Sequence, residues 1–145
     1  MKKIKKKFKL LIFLSFAFLL SNISHAEKSY FSEGKLLFEK KKYDEAKFKF
    51  EQVIVRNPKD ENAYLYLSKI FKQNKKIDQE EINLDTVILL NPKNEEAIYN
   101  LALLNIKKSN FKKTNQLLEQ FKNICKITCE KANEIKVKLN DSLKK

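Results

Sequence analysis

The chain's two prolines sit in the same short phrase, 34 residues apart: Asn57-Pro58-Lys59-Asp60 returns as Asn91-Pro92-Lys93-Asn94. Proline cannot continue a helix, and its ring drives the asparagine before it out of the helical region, so each phrase must end one helix. Two residues later a new helix can start. Asp60 and Asn94 carry short side-chain oxygens able to accept the free N–H groups of a first turn, and Glu61, Glu95 and Glu96 suit the positive helix end. A turn that recurs at a fixed period between helical stretches marks a repeat architecture.

Sliding the sequence by that period aligns like with like. Ser29, Ala63 and Ala97 coincide, as do Tyr30, Tyr64 and Ile98, then Gly34, Ser68 and Ala102, then Leu36, Ile70 and Leu104. In the second half of each unit the shared positions are larger: Tyr43, Ile77 and Phe111, then Phe50, Leu84 and Leu118, then Val53, Val87 and Phe121. Small residues thus recur where paired helices must approach, and large apolar ones where they bury a core. With a single glycine, no tryptophan and many lysines, glutamates and leucines, the composition is all-helical. No such helix can bury its apolar stripe alone, which is why repeats of this kind stack.

On these residues the chain resembles the tetratricopeptide repeat, whose unit has a small residue midway in its first helix, an Ala-x3-Phe in its second and a closing proline. Gly34, Ala46, Phe50 and Pro58 form the fullest copy. Glu80 and Thr114 stand where Ala46 stands, so the helix pairing is expected to be less tight there; Lys126 replaces a third proline, so the third corner needs another terminator. The resemblance implies an all-α, right-handed α-solenoid with units at residues 27–60, 61–94 and 95–127, followed by a capping helix at 128–145. Thr128 lies in the capping place of Asn94, and Ala132, Ile135, Leu139 and Leu143 make one apolar stripe at spacings of three and four.

Residues 1–26 have the three zones of a Sec-type signal peptide: a lysine-rich start, an apolar run from Leu10 to Leu20, and Ser24-His25-Ala26 as a small-residue cleavage site. The rival is an uncleaved anchor, but the run is short of the about 20 residues needed to span a bilayer. Export to the periplasm or beyond is the expectation. Removing the segment takes six lysines from the 31 basic residues, leaving 25 against 18 acids, a moderate excess concentrated in residues 95–145 within a lysine-rich composition spread along every helix. That distribution fits solvated faces rather than a nucleic-acid patch, and once the signal is cleaved no membrane contact is expected.

Catalytic constellations are scarce. The single histidine, His25, belongs to the signal segment, and one glycine cannot build a phosphate loop. Glu80 with Glu81, and Glu95 with Glu96, are read as solvated helix-surface carboxylates. No enzyme activity, cofactor or metal is expected. Cys125 and Cys129 bracket the proline-less third corner, and in an oxidising compartment they are expected to be joined.

By resemblance, the function is that of a scaffold or adaptor in the cell envelope, holding a protein or peptide on the concave face lined by the first helix of each unit. Core contacts are assigned to Tyr30, Leu37, Tyr64, Leu67, Phe71, Ile98 and Leu101. The neighbouring stripe, Phe31, Lys35 and Phe38, then Leu65, Lys69 and Lys72, then Tyr99, Leu103 and Ile106, is the implied partner surface. Apolar side chains mixed with lysines and almost no acids call for a ligand with apolar anchors and some negative charge. The same apolar residues could instead pack between units. The family's clamp for a terminal carboxylate uses asparagines as well as lysines, and Leu65, Leu103 and Ile106 stand against that version here. A structural subunit of an oligomer or envelope assembly is the alternative function, and an enzyme comes third.

Overall fold

The computed structural model describes residues 30–126 and 129–144. The signal segment and Thr128 lie outside them. The described residues form seven helices and no strand: α1 (residues 30–39), α2 (Tyr43–Arg56), α3 (Glu61–Gln73), α4 (Ile77–Leu90), α5 (Glu95–Lys107), α6 (Phe111–Ile124) and α7 (Glu130–Leu143). The chain divides into two compact units, one ending at Pro58 and the other starting at Lys59.

Both Asn-Pro corners work as helix stops and starts. Asn57 and Asn91 leave the helical region (φ −133°, ψ 86° and φ −138°, ψ 91°), while their N–H groups still donate to Val53 and Val87 carbonyls at 2.8 Å. Asp60 and Asn94 then accept the Ala63 and Ala97 N–H groups at 2.9 Å, satisfying donors the new helices would otherwise leave open. The tighter turns inside the hairpins follow the same period. Lys41, Lys75 and Ser109 all adopt left-handed backbone (φ 58°, 56° and 56°). The following N–H groups of Lys42, Lys76 and Asn110 reach back to the Leu37, Phe71 and Asn105 carbonyls at 2.8–2.9 Å. This is the Schellman closure usually given to glycine, here imposed on lysine and serine by the packing of the helices on either side.

The third corner ends its helix without proline. Cys125 takes the register place of Asn57 and Asn91, turns extended (φ −60°, ψ 136°) and donates its N–H to Phe121 at 2.9 Å. The Lys126 N–H then donates to Glu95 Oε1 at 3.2 Å. Cys125 and Cys129 are disulfide-bonded, with their α-carbons 5.2 Å apart, and α7 starts at the next residue.

In the first unit α1 and α2 meet around Gly34. The ring of Phe50, fully buried, lies so close that a β-carbon on Gly34 would sit 3.0 Å from two of its atoms. Phe31 packs edge-on against the same ring at 5.6 Å. Tyr30 is covered by the Arg56 guanidinium, 4.5 Å from the ring centroid, and Lys49 pairs with Glu33 across the hairpin at 2.9 Å.

In the second unit the core draws on every helix: Leu65 from α3, Leu84 and Val87 from α4, Ile98 and Leu101 from α5, Leu118 and Phe121 from α6, and Ala132 and Ile135 from α7. The stripe expected on α7 is one residue shorter than its spacing indicated. Leu139 is buried but Leu143, the last helical residue, is 58% exposed, because the helix outruns the core it covers. On the outer side, Lys108 pairs with Glu81, and Lys113 with Asp85 at 3.0 Å, tying the α5–α6 turn to α4.

Gly34→Ala tests the close approach in the first unit. The new methyl improves helix propensity by about 1 kcal/mol but must displace a buried ring, at a cost of about 1–3 kcal/mol. A net loss of about 1 kcal/mol in denaturant unfolding is expected; a gain would show that Phe50 yields freely.

Candidate functional site

The nine stripe residues do not share one environment. In the first unit Lys35 is exposed, Phe31 leans on Phe50, and Phe38 packs edge-on against Tyr43 at 5.6 Å. In the second, Leu65 is only 6% exposed and belongs to the core with Ala97, Ile98 and Leu101, so it is removed from the implied partner surface. The helical stripe that carries it turns inward at this point. Tyr99, Leu103 and Ile106 are half-buried, each with one side against the core.

Acids are present on this face as well. Lys69 is ion-paired with Glu96 at 2.8 Å, with its ammonium also 4.9 Å from the Tyr66 ring centroid. Lys72 donates to Asn100 Oδ1 at 3.2 Å. Two of the lysines expected to meet a ligand are therefore already held by α5, Lys69 by a full counter-charge and Lys72 by a neutral amide.

Tyr99 faces the capping helix. Its ring lies 6.5 Å from that of Phe121, the Lys131 ammonium sits 5.0 Å over its face, and its hydroxyl donates to the Glu134 carboxylate. Burial, that hydrogen bond and the nearby negative charge push the phenol up to about 12. The residue fastens α7 to α5.

A cleft of about 240 Å³ opens between α3, α4 and α5. Lys72 comes from the end of α3, Lys75 from the left-handed turn, Ile77 and Glu80 from α4, and Asn100, Leu103, Leu104 and Lys107 from α5. Its central feature corrects the sequence reading: Glu80 is not a solvated surface carboxylate but 6% exposed. It occupies the Ala46 place, between helices that elsewhere bury Ala46 and Thr114 completely. Burial raises its carboxyl above the ordinary glutamate range, and Lys72 and Lys107 pull it part of the way back. Of the implied stripe, Lys72 and Leu103 line this cleft; Lys75, Asn100 and Lys107 were not foreseen. The signal available was Glu80 breaking the small-residue register.

Among the described residues no group of three or more His, Cys, Asp or Glu side chains could hold a metal ion, and no helix is long and apolar enough to cross a membrane.

No family model and no curated protein matches the sequence. Solved structures do. The first tetratricopeptide domain of Spaghetti (RPAP3), bound to the HSP90 peptide SRMEEVD, superposes with a TM-score of 0.73 at 16% identity, over 83% of this chain and 95% of that one. This chain has the tetratricopeptide-repeat fold. The Yersinia enterocolitica type III secretion chaperone SycD, in complex with a peptide of the translocator YopD, gives 0.70 at 14% identity over 79% of this chain and 90% of its own. The TPR2B domain of yeast Sti1, in its pHsp70 complex, gives 0.70 at 16% over 82% and 97%. At such identities the likeness is one of fold, an all-α solenoid of helix–turn–helix repeats, and the tetratricopeptide hairpins here keep that fold with a carboxylate where the small residue belongs.

Two substitutions probe these contacts. Tyr99→Phe removes the hydroxyl that binds Glu134 and should cost about 1 kcal/mol at neutral pH. Because the folded state favours the neutral phenol, that contribution is present below pH 10 and fades as pH rises to about 12; the melting difference between the two proteins should shrink over that window. Glu80 has the same sign. Its raised carboxyl stabilises the fold below the ordinary glutamate range and loses that contribution as pH rises, so Glu80→Gln should gain melting temperature over the parent as the pH rises above that range. A difference independent of pH would return Glu80 to solvent.

Proposed function

We propose that the protein is a non-catalytic binding module of the cell envelope or the secreted space that holds a protein or peptide partner on the α3–α5 face. The reading rests on the half-buried Leu103 and Ile106, which keep one side open on a face that also carries lysines. Solved structures of the same fold, by their names, hold peptides: an HSP90 peptide and a translocator peptide. The partner has apolar anchors to extend this surface and some negative charge to meet the lysines. The amino-terminal zones of residues 1–26 support export.

A specific observation favours a second reading, a structural subunit. On α4, Ile82 and Leu89 are 64% and 81% exposed, and the same register places on α2 hold Phe48 and Val55 at 58% and 81%. Apolar residues repeated on the second helices suit permanent burial in an assembly.

The test is to cross-link the exported protein in its own envelope fraction and to weigh the purified protein by light scattering. A monomer that captures a defined partner, weakened about tenfold or more by Leu103→Ala at an unchanged oligomeric state, is the expected result. A salt-resistant homo-oligomer whose contacts map to Ile82 and Leu89 would replace it with the structural reading.

A further inference from the structure

We infer that the cleft between α3, α4 and α5 seats an acidic side chain of the bound partner, with Glu80 as a built-in competitor for its lysines. The inference rests on the peptide-binding reading and assigns that partner's chemistry.

The charge count carries it. Lys72, Lys75 and Lys107, from three different segments, line with one carboxylate, Glu80, a space of about 240 Å³. Lys108 and Lys113, close by in sequence, are matched by Glu81 and Asp85, whereas Lys75 and Lys107 have no ion-pair partner among the described residues. All three ammonium groups are exposed to solvent, and an anion entering the cleft would meet three of them against the single buried carboxylate of Glu80. A cationic ligand would meet the same three lysines and be repelled. Lys72 and Lys107 are close enough to act electrostatically on Glu80.

Size and lining narrow the ligand. The volume falls below the ~300–1,000 Å³ typical of sites for whole small molecules, and matches one or two side chains. Ile77, Leu103 and Leu104 line part of it, which suits the methylene stem of a glutamate and an adjoining apolar residue. Asn100 holds Lys72 in place through its Oδ1.

The cleft should then be pH-sensitive. The charged groups that line it are Lys72 on α3, Lys75 in the turn, Glu80 on α4 and Lys107 on α5. Lysines stay charged through the acidic range, so protonating Glu80 leaves three cations unopposed. An acidic ligand that is itself still ionised binds more tightly as the pH falls.

The experiment titrates the ¹⁵N-labelled exported protein with acetyl-Leu-Glu-Leu-Glu-Leu-amide, with its glutamine counterpart, and with inorganic phosphate, following backbone amide shifts. The glutamate peptide is expected to bind about tenfold more tightly than the glutamine one, shifting residues around Lys75, Glu80 and Lys107. Lys75→Gln and Lys107→Gln should each erase most of that preference; Lys75 lies in the α3–α4 turn and Lys107 at the end of α5, both exposed, where melting temperature should hold. Glu80→Gln, which keeps the shape and removes the competing charge, should tighten the glutamate peptide several-fold at neutral pH and flatten the gain the parent shows as the pH is lowered. Equal binding of both peptides on the α3–α5 face would overturn the acidic seat and leave the peptide-binding reading standing. Phosphate shifting the same residues while neither peptide does would overturn the peptide source and assign the cleft to a free oxyanion. No cleft shift with any probe would overturn the seat itself.

Discussion

The close approach of two paired helices at a small residue is the contact on which the rest depends. Gly34 lets the Phe50 ring lie against the backbone of α1, and the same register places in the second unit are buried as Ser68 and Leu84, then Ala102 and Leu118. A small side chain on one helix and a large one on the other fill the hairpin without a void, and helices held that close can present one continuous apolar stripe to the next pair. Ser68 is tolerated there because its hydroxyl donates to the Leu65 carbonyl at 2.7 Å, so that burial leaves no unmet donor.

Glu80 is the departure from that rule, and its consequences are electrostatic before they are steric. A carboxylate at a place built for alanine must either be neutralised or draw cations to it, and here the ends of α3 and α5 bring Lys72 and Lys107 within electrostatic reach. The result is a cleft lined by both signs of charge on a face where the remaining lysine, Lys69, is already matched by Glu96. Affinity on such a surface comes from its half-buried apolar residues, while the lysines select among ligands and speed their arrival.

The third corner solves the termination problem with different chemistry. The first two stop a helix by sterics, through Asn-Pro; the third has Cys125 in the asparagine place, extended backbone, a carboxylate from Glu95 to receive the next N–H, and a covalent link to Cys129 at the start of α7. Tyr99 and Phe121 then hold the cap from the side. Because α7 supplies Ala132 and Ile135 to the core, fixing its entry helps keep the end of the array closed.

The sequence by itself determined the period, the helical class, the caps at Asp60 and Asn94 and most of the core, because proline sterics, capping chemistry and residue size act locally and repeat every 34 residues. It also flagged Glu80 and Lys126 as breaks in register. What it left open was which side of each first helix faces in. Leu65 and Leu103 are both leucines of the same implied stripe, yet one is in the core and the other lines a cleft, since burial depends on neighbours distant in sequence. Only the tertiary structure placed left-handed turns at Lys41, Lys75 and Ser109, where no glycine marks them, and only it could bury Glu80 among lysines drawn from three segments. Charge and burial at such a site are sums over distant groups, and no local stretch of sequence contains them.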